Sequence, residues 1–151
     1  MSPHTSTPQI VVAVDGSPAS VAALRWAVAQ AELTGAAVQA VTSWQVPGQS
    51  AYGGYGGYFA VDVDWADVAR TTLTTAVKEA GDGAPVDVVP LVLEGHAAHV
   101  LVKASDGAQL LVVGSRGHGG FAGMLLGSVS EYVIAHASSP VLVIRDHPEA
   151  A

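Results

Sequence analysis

Five short apolar runs, Ile10–Val14, Ala37–Ser43, Val86–Leu93, Gln109–Val113 and Pro140–Ile144, alternate with four segments of helical spacing, and that alternation limits the chain to one class of fold. Ile10-Val11-Val12-Ala13-Val14 is apolar throughout, as a strand covered on both faces has to be. Parallel strands joined by helical crossovers satisfy this order most economically. The chain is therefore expected to form an α/β domain, a five-stranded parallel sheet with four helices on its two faces.

Local signals agree with that reading. Ser17 is a ready N-cap, and Pro18 takes the first helical position, where its missing N–H costs nothing. Gly35 ends the first helix after Thr34, with Val21, Leu24, Val28 and Ala31 on the buried face. A second helix is expected from Asp64 to Ala80 with Trp65, Val68, Ala76 and Val77 turned inward, and a third from Ala97 to Ser105. A fourth runs from Ser128 to Ala137, where Ser128-Val129-Ser130-Glu131 reads as a capping box. Residues 46–61 hold Tyr52-Gly53-Gly54-Tyr55-Gly56-Gly57-Tyr58 and have no period, so a flexible loop is expected there, one able to order on binding. Residues 1–8 read as a disordered segment and 147–151 as a tail, flanking one domain over 9–146.

Composition removes several function classes. With a net charge of −7 and only six Lys and Arg, scattered along 151 residues, the chain offers no basic surface for nucleic acid. No apolar run approaches the ~18 residues that span a bilayer, and the first residues lack the pattern of an export signal, so no membrane partner and a cytoplasmic address are expected. The absence of cysteine excludes disulfides and thiol chemistry. An acidic chain that binds an anion has to use backbone amides, helix N-termini and one or two placed cations or a metal.

Gly114-Ser115-Arg116-Gly117, at the carboxyl end of the fourth apolar run, meets that requirement, as does Gly127-Ser128 after nine intervening residues. Glycines let an anion approach the backbone closely, and a helix start behind them adds N–H groups and partial positive charge. The plain alternative is a pair of turn glycines with Ser128 as a simple cap. Asp15 follows the first apolar run, where it either opens a turn with Gly16 or takes part in the same site. Arg116 is the one cation of the glycine segment, and both it and His118 are equally readable as solvated loop residues.

The spacing of Gly114, Gly117, Gly127 and Ser128, with Asp15 after Ile10–Val14 and a closing strand Pro140–Ile144, resembles the ATP-binding signature of the universal stress protein family over about residues 8 to 145. The resemblance implies a Rossmann-like open sandwich of strand order 3-2-1-4-5, which makes the first and fourth strands neighbours. It also implies ATP, with magnesium, as cofactor. Gly114 would lie near the ribose, Gly117 would offer its N–H to the phosphates, and Gly127, Ser128, Val129 and Ser130 would form the opposite wall. Asp15 would accept ribose hydroxyls or orient a magnesium ion through bound water. Ala13, Val41 and Ser43 would bracket the adenine, and Arg116 would reach the β- or γ-phosphate. The family further implies a homodimer joined through Val141–Ile144 and a regulatory, stress-response role. A member binding AMP or cyclic AMP, and a dimeric interaction module without nucleotide, are the alternatives.

Sharper chemistries fail on inspection. Leu126-Gly127-Ser128 lacks the lysine of a P-loop, so fast phosphoryl transfer, and with it an enzyme, is not expected. Val14-Asp15-Gly16-Ser17 supplies one glycine where a dinucleotide fingerprint needs three. His96 and His99 stand at a spacing that can share a metal on a helix, but an exposed helix face is the default. No serine, histidine and aspartate arrangement stands out for acyl transfer.

Overall fold

The computed structural model describes residues 7–46, 63–81, 83–117 and 126–145. Along them run β1 (Gln9–Ala13), α1 (Pro18–Thr34), β2 (Ala37–Trp44), α2 (Trp65–Gly81), β3 (Val88–Glu94), α3 (Ala97–Ala104), β4 (Leu110–Gly114), α4 (Ser128–His136) and β5 (Val141–Ile144). All strand pairs are parallel and the order is β3-β2-β1-β4-β5, the order that the family resemblance implies. Pro90 falls in β3, an edge strand, where a missing N–H is tolerated.

Period-2 geometry divides β1 between two cores. Ile10, Val12 and Val14 enter the layer beneath α1 and α2 with Leu24, Val28 and Leu73, while Val11 enters the layer beneath α3 and α4 with Leu101, Leu111 and Val133. Each of these side chains contributes on the order of 1.5–3 kcal/mol by leaving water. The caps of α1 are those read from the sequence: Ser17 Oγ accepts from Ser20 N at 3.3 Å, and Gly35, at φ 78°, donates its N–H to Ala31 O at 2.9 Å. Val21, Leu24, Val28 and Ala31 are all buried. No helix among the described residues is long and apolar enough to cross a membrane.

Two local expectations need correction. In α2 the buried residues are Ala69, Leu73 and Ala76, and Val68 is 48% exposed. The face that meets the sheet follows positions i, i+4 and i+7 from Ala69, which leaves Val68 one step round the helix, while Val77 packs at the edge of the core. In α4 the N-cap is Gly127 rather than Ser128, with φ −77° and ψ 166° and no side-chain cap bond. Gly127 N–H is tied to Ser115 O at 2.6 Å, so Gly127 stays extended and Ser128 becomes the first helical residue. The strand and helix ends otherwise shift by one or two residues: β2 reaches Trp44 and β3 starts at Val88. The loop expected over 46–61 lies, except for Val46, outside the described residues, as do residues 1–6, His118 and 146–151.

Candidate functional site

β1 and β4 are neighbours although α1 leads from β1 to β2 on the other side, so the winding reverses between them and their carboxyl ends open a crevice. The end of β1 is fastened from β2: Val14 N donates to Val41 O at 2.8 Å, and the buried Thr42 hydroxyl donates to Val14 O at 2.8 Å. Asp15 follows, exposed, with its Oδ1 accepting from Ser17 N at 2.9 Å. Gly16 makes the turn at φ 85°, a backbone region that side chains resist. Ser20 Oγ donates to Ser17 O at 2.9 Å and lies 3.4 Å from Asp15 N, tying the carboxylate's backbone to the first turn of α1.

The three glycines of the motif have different physical reasons. A Cβ on Gly114 would stand 2.8 Å from Ala19 Cβ and 3.1 Å from Ala19 C, so this glycine is demanded by the close crossing of α1 over the end of β4. A Cβ on Gly117 would stand 2.5 Å from Asp15 Oδ2, so this glycine lets the segment after β4 lie against the carboxylate. At Gly127 a Cβ meets only ordinary contacts, 3.5 Å from Arg116 Cα and 3.6 Å from Gly117 N. Packing explains the first two, while the third is the N-cap residue of α4 and leaves its backbone uncovered by a side chain.

Together these elements line one cleft of about 420 Å³. All eleven residues singled out in the sequence border it: Ala13 and Asp15 from β1 and its turn, Val41 and Ser43 from β2, Gly114, Arg116 and Gly117 after β4, and Gly127, Ser128, Val129 and Ser130 at the start of α4. Asp15 and Arg116 are the charged residues among the described lining. The first-turn N–H groups of α4 have no side-chain cap and bring the positive end of the helix to the cleft. Ser130 is 3% exposed, and its hydroxyl donates to Gly114 O at 2.6 Å. That proton therefore ties the start of α4 to the end of β4.

Ser17, Ser20, Ala97 and Leu101 also border the cleft and were not picked out from the sequence. A usable signal existed. In a parallel sheet every crossover helix starts at the carboxyl edge, so the first turn of α3, on the same face as α4, has to border the crevice between β1 and β4. His96 and His99, read by default as an exposed helix face, are both exposed, and His96 caps α3, its Nδ1 accepting from Ala98 N at 3.3 Å. His99 stands in a ring row with His96 and Tyr132, centroids 5.1 Å apart at each step. No group of three or more metal-ligating side chains assembles among the described residues.

Residues 7–145 match the model of the universal stress protein family. Universal stress protein Rv2623 of Mycobacterium tuberculosis is 35% identical over 148 residues, an alignment taking in 95% of this chain and 47% of that relative. The chain thus spans about half the length of the curated relatives it matches. Two solved structures are similar over nearly their whole length. One, a universal stress protein in complex with cAMP, is 26% identical with a TM-score of 0.68 over 93% of this chain and 98% of that one. The other, the universal stress protein from Archaeoglobus fulgidus in complex with dAMP, is 25% identical with a TM-score of 0.67 over 92% and 98%.

Proposed function

The chain belongs to the universal stress protein family, and from that premise we propose that its cleft binds an adenine nucleotide, ATP with magnesium, as a regulatory signal rather than as a fuel. The observation that carries this reading is the convergence of Asp15, Gly117 and the uncapped first turn of α4 on one cleft. The residues suit the parts of such a ligand. Ala13, Val41 and Leu101 offer an apolar seat for a base, and Ser43 lies at its rim. The Asp15 carboxylate suits ribose hydroxyls or the water shell of a magnesium ion, which would supply charge neutralisation to the phosphates. The α4 N-terminus, Gly117 N–H and Arg116 suit the phosphates themselves.

The similar structures in complex with cAMP and dAMP support adenine as the base. Leu126-Gly127-Ser128 supplies no lysine to the terminal phosphates, which favours occupancy over turnover, with at most slow hydrolysis. In this reading the protein works as a homodimer joined through the edge strand β5, whose outer side has no strand partner among the described residues. A second reading, AMP or cyclic AMP as the ligand, is favoured by the same two similar structures and by Arg116 being the one cation lining the cleft among the described residues.

Titration calorimetry with ATP, AMP and cyclic AMP, with and without magnesium, decides between them. Tightest binding of ATP with magnesium supports the first reading, and tighter AMP or cyclic AMP the second. No uptake of any of the three, together with no nucleotide carried through purification, overturns both and leaves a dimeric interaction module.

A further inference from the structure

Ser130 is the third residue of α4 and lines the cleft, yet it is 3% exposed and its hydroxyl faces the end of β4. Its Oγ lies 2.6 Å from Gly114 O and 3.3 Å from Ser115 O. A hydroxyl has one proton, and the shorter contact takes it. Ser115 O also receives Gly127 N–H at 2.6 Å. Two donors at the start of α4, the Gly127 amide and the Ser130 hydroxyl, therefore grip two consecutive carbonyls at the end of β4. Gly114 lies two residues past the last β1–β4 pair, Val12 with Val112, so this grip fixes the chain where the ladder to β1 has ended.

We propose that the Ser130 side chain is a positioning group for phosphate binding: its hydroxyl makes no contact with the ligand and acts by holding the first turn of α4 against Gly114–Gly117, so that the amides of both segments converge on one anion. The proposal rests on the adenine-nucleotide reading of the cleft. Its chemistry follows from the proton count, since a phosphate oxygen needs a donor and the Ser130 proton is already given to Gly114 O. Ser128, by contrast, is exposed and makes no cap bond.

The test pairs Ser130→Ala with Ser130→Thr, which restores a hydroxyl, and reads two quantities. The first is amide hydrogen exchange in protein free of nucleotide. Ser130→Ala is expected to speed exchange of the Gly127–Glu131 and Ser115–Gly117 amides at least threefold, and Ser130→Thr to bring it back toward the wild-type rate. The second is affinity: Ser130→Ala is expected to weaken AMP and ATP roughly tenfold, the loss of about one charge-assisted hydrogen bond, while adenosine, which carries no phosphate, changes less than twofold. Ser130→Cys, nearly isosteric and a much weaker donor, replaces the alanine variant if that one does not fold. Unchanged exchange in the free protein with weakened AMP binding overturns the proposal in favour of direct contact. Faster exchange with unchanged affinity, or equal loss for adenosine and AMP, overturns it in favour of a purely structural role. Wild-type protein that takes up no adenine nucleotide overturns the nucleotide reading, an outcome recognisable before any variant is made.

Discussion

Asp15 and Gly117 occupy each other's space: a methyl group on Gly117 would lie 2.5 Å from Asp15 Oδ2, closer than any real pair of such atoms. One residue opens the turn after β1 and the other follows β4, so the carboxylate and the glycine segment form one surface although about a hundred residues separate them.

Gly117→Ala should therefore act on the site more than on the fold. Asp15 is exposed and its carboxylate has to shift, straining its bond from Ser17 N, so stability should fall by about 1 kcal/mol, while AMP and ATP binding should weaken by about tenfold or more. Calorimetry beside a thermal melt measures both. Equal binding by the variant and the wild type would remove the contact between this surface and the ligand.

Gly114→Ala should do the reverse. The added carbon meets Ala19 Cβ at 2.8 Å and the Ala19 backbone at 3.1 Å, where nothing flexible can yield, and overpacking of this kind costs about 1–3 kcal/mol. For a chain of this size that lowers the melting temperature by roughly 2–4 °C per kcal/mol. A melt unchanged within about a degree would show that α1 and β4 adjust freely.

Asp15→Asn separates geometry from charge. The amide oxygen still accepts from Ser17 N, so the turn and the melting temperature should be preserved. If a magnesium ion accompanies ATP, chelation with EDTA should weaken ATP binding by the wild type and have little further effect on Asp15→Asn. An identical EDTA response in both proteins would detach the carboxylate from the metal.

Leu73→Ala and Val68→Ala test the orientation of α2. Leu73 is 1% exposed, and its truncation should cost about 2–5 kcal/mol. Val68 is 48% exposed, and its truncation should stay within about 0.5 kcal/mol. Denaturant titration ranks the two, and a larger loss at Val68 would mean that the helix is rotated.

The succession of strands and helices and the ends of α1 were legible from the residues themselves because each rests on signals that local chemistry makes strict, while the full set of eleven site residues came with the family resemblance. Apolar runs such as Ile10–Val14 have one place to go in a doubly covered sheet, and Ser17-Pro18 with Gly35 brackets α1 by backbone geometry alone. The family resemblance supplied the order of the strands. The rotation of α2 was not legible, because Val68 and Leu73 are both apolar and the tertiary contact chooses between their faces. The α4 cap escaped for a related reason: Ser128-Val129-Ser130-Glu131 satisfies a capping box locally, but the bond from Gly127 N–H to Ser115 O comes from a segment more than ten residues away. The same holds for Ser130, whose type announces a hydroxyl while its partner, Gly114 O, is set by the fold.

Ser115 N–H donates to Ile144 O, the last residue of β5, at 2.8 Å. The rim of the sheet and the glycine segment are thus continuous, because this bond extends the β4–β5 ladder, whose last pair is Gly114 with Ile144, one residue further. The backbone of Ser115 is therefore where the outermost strand meets the segment that carries Arg116 and Gly117.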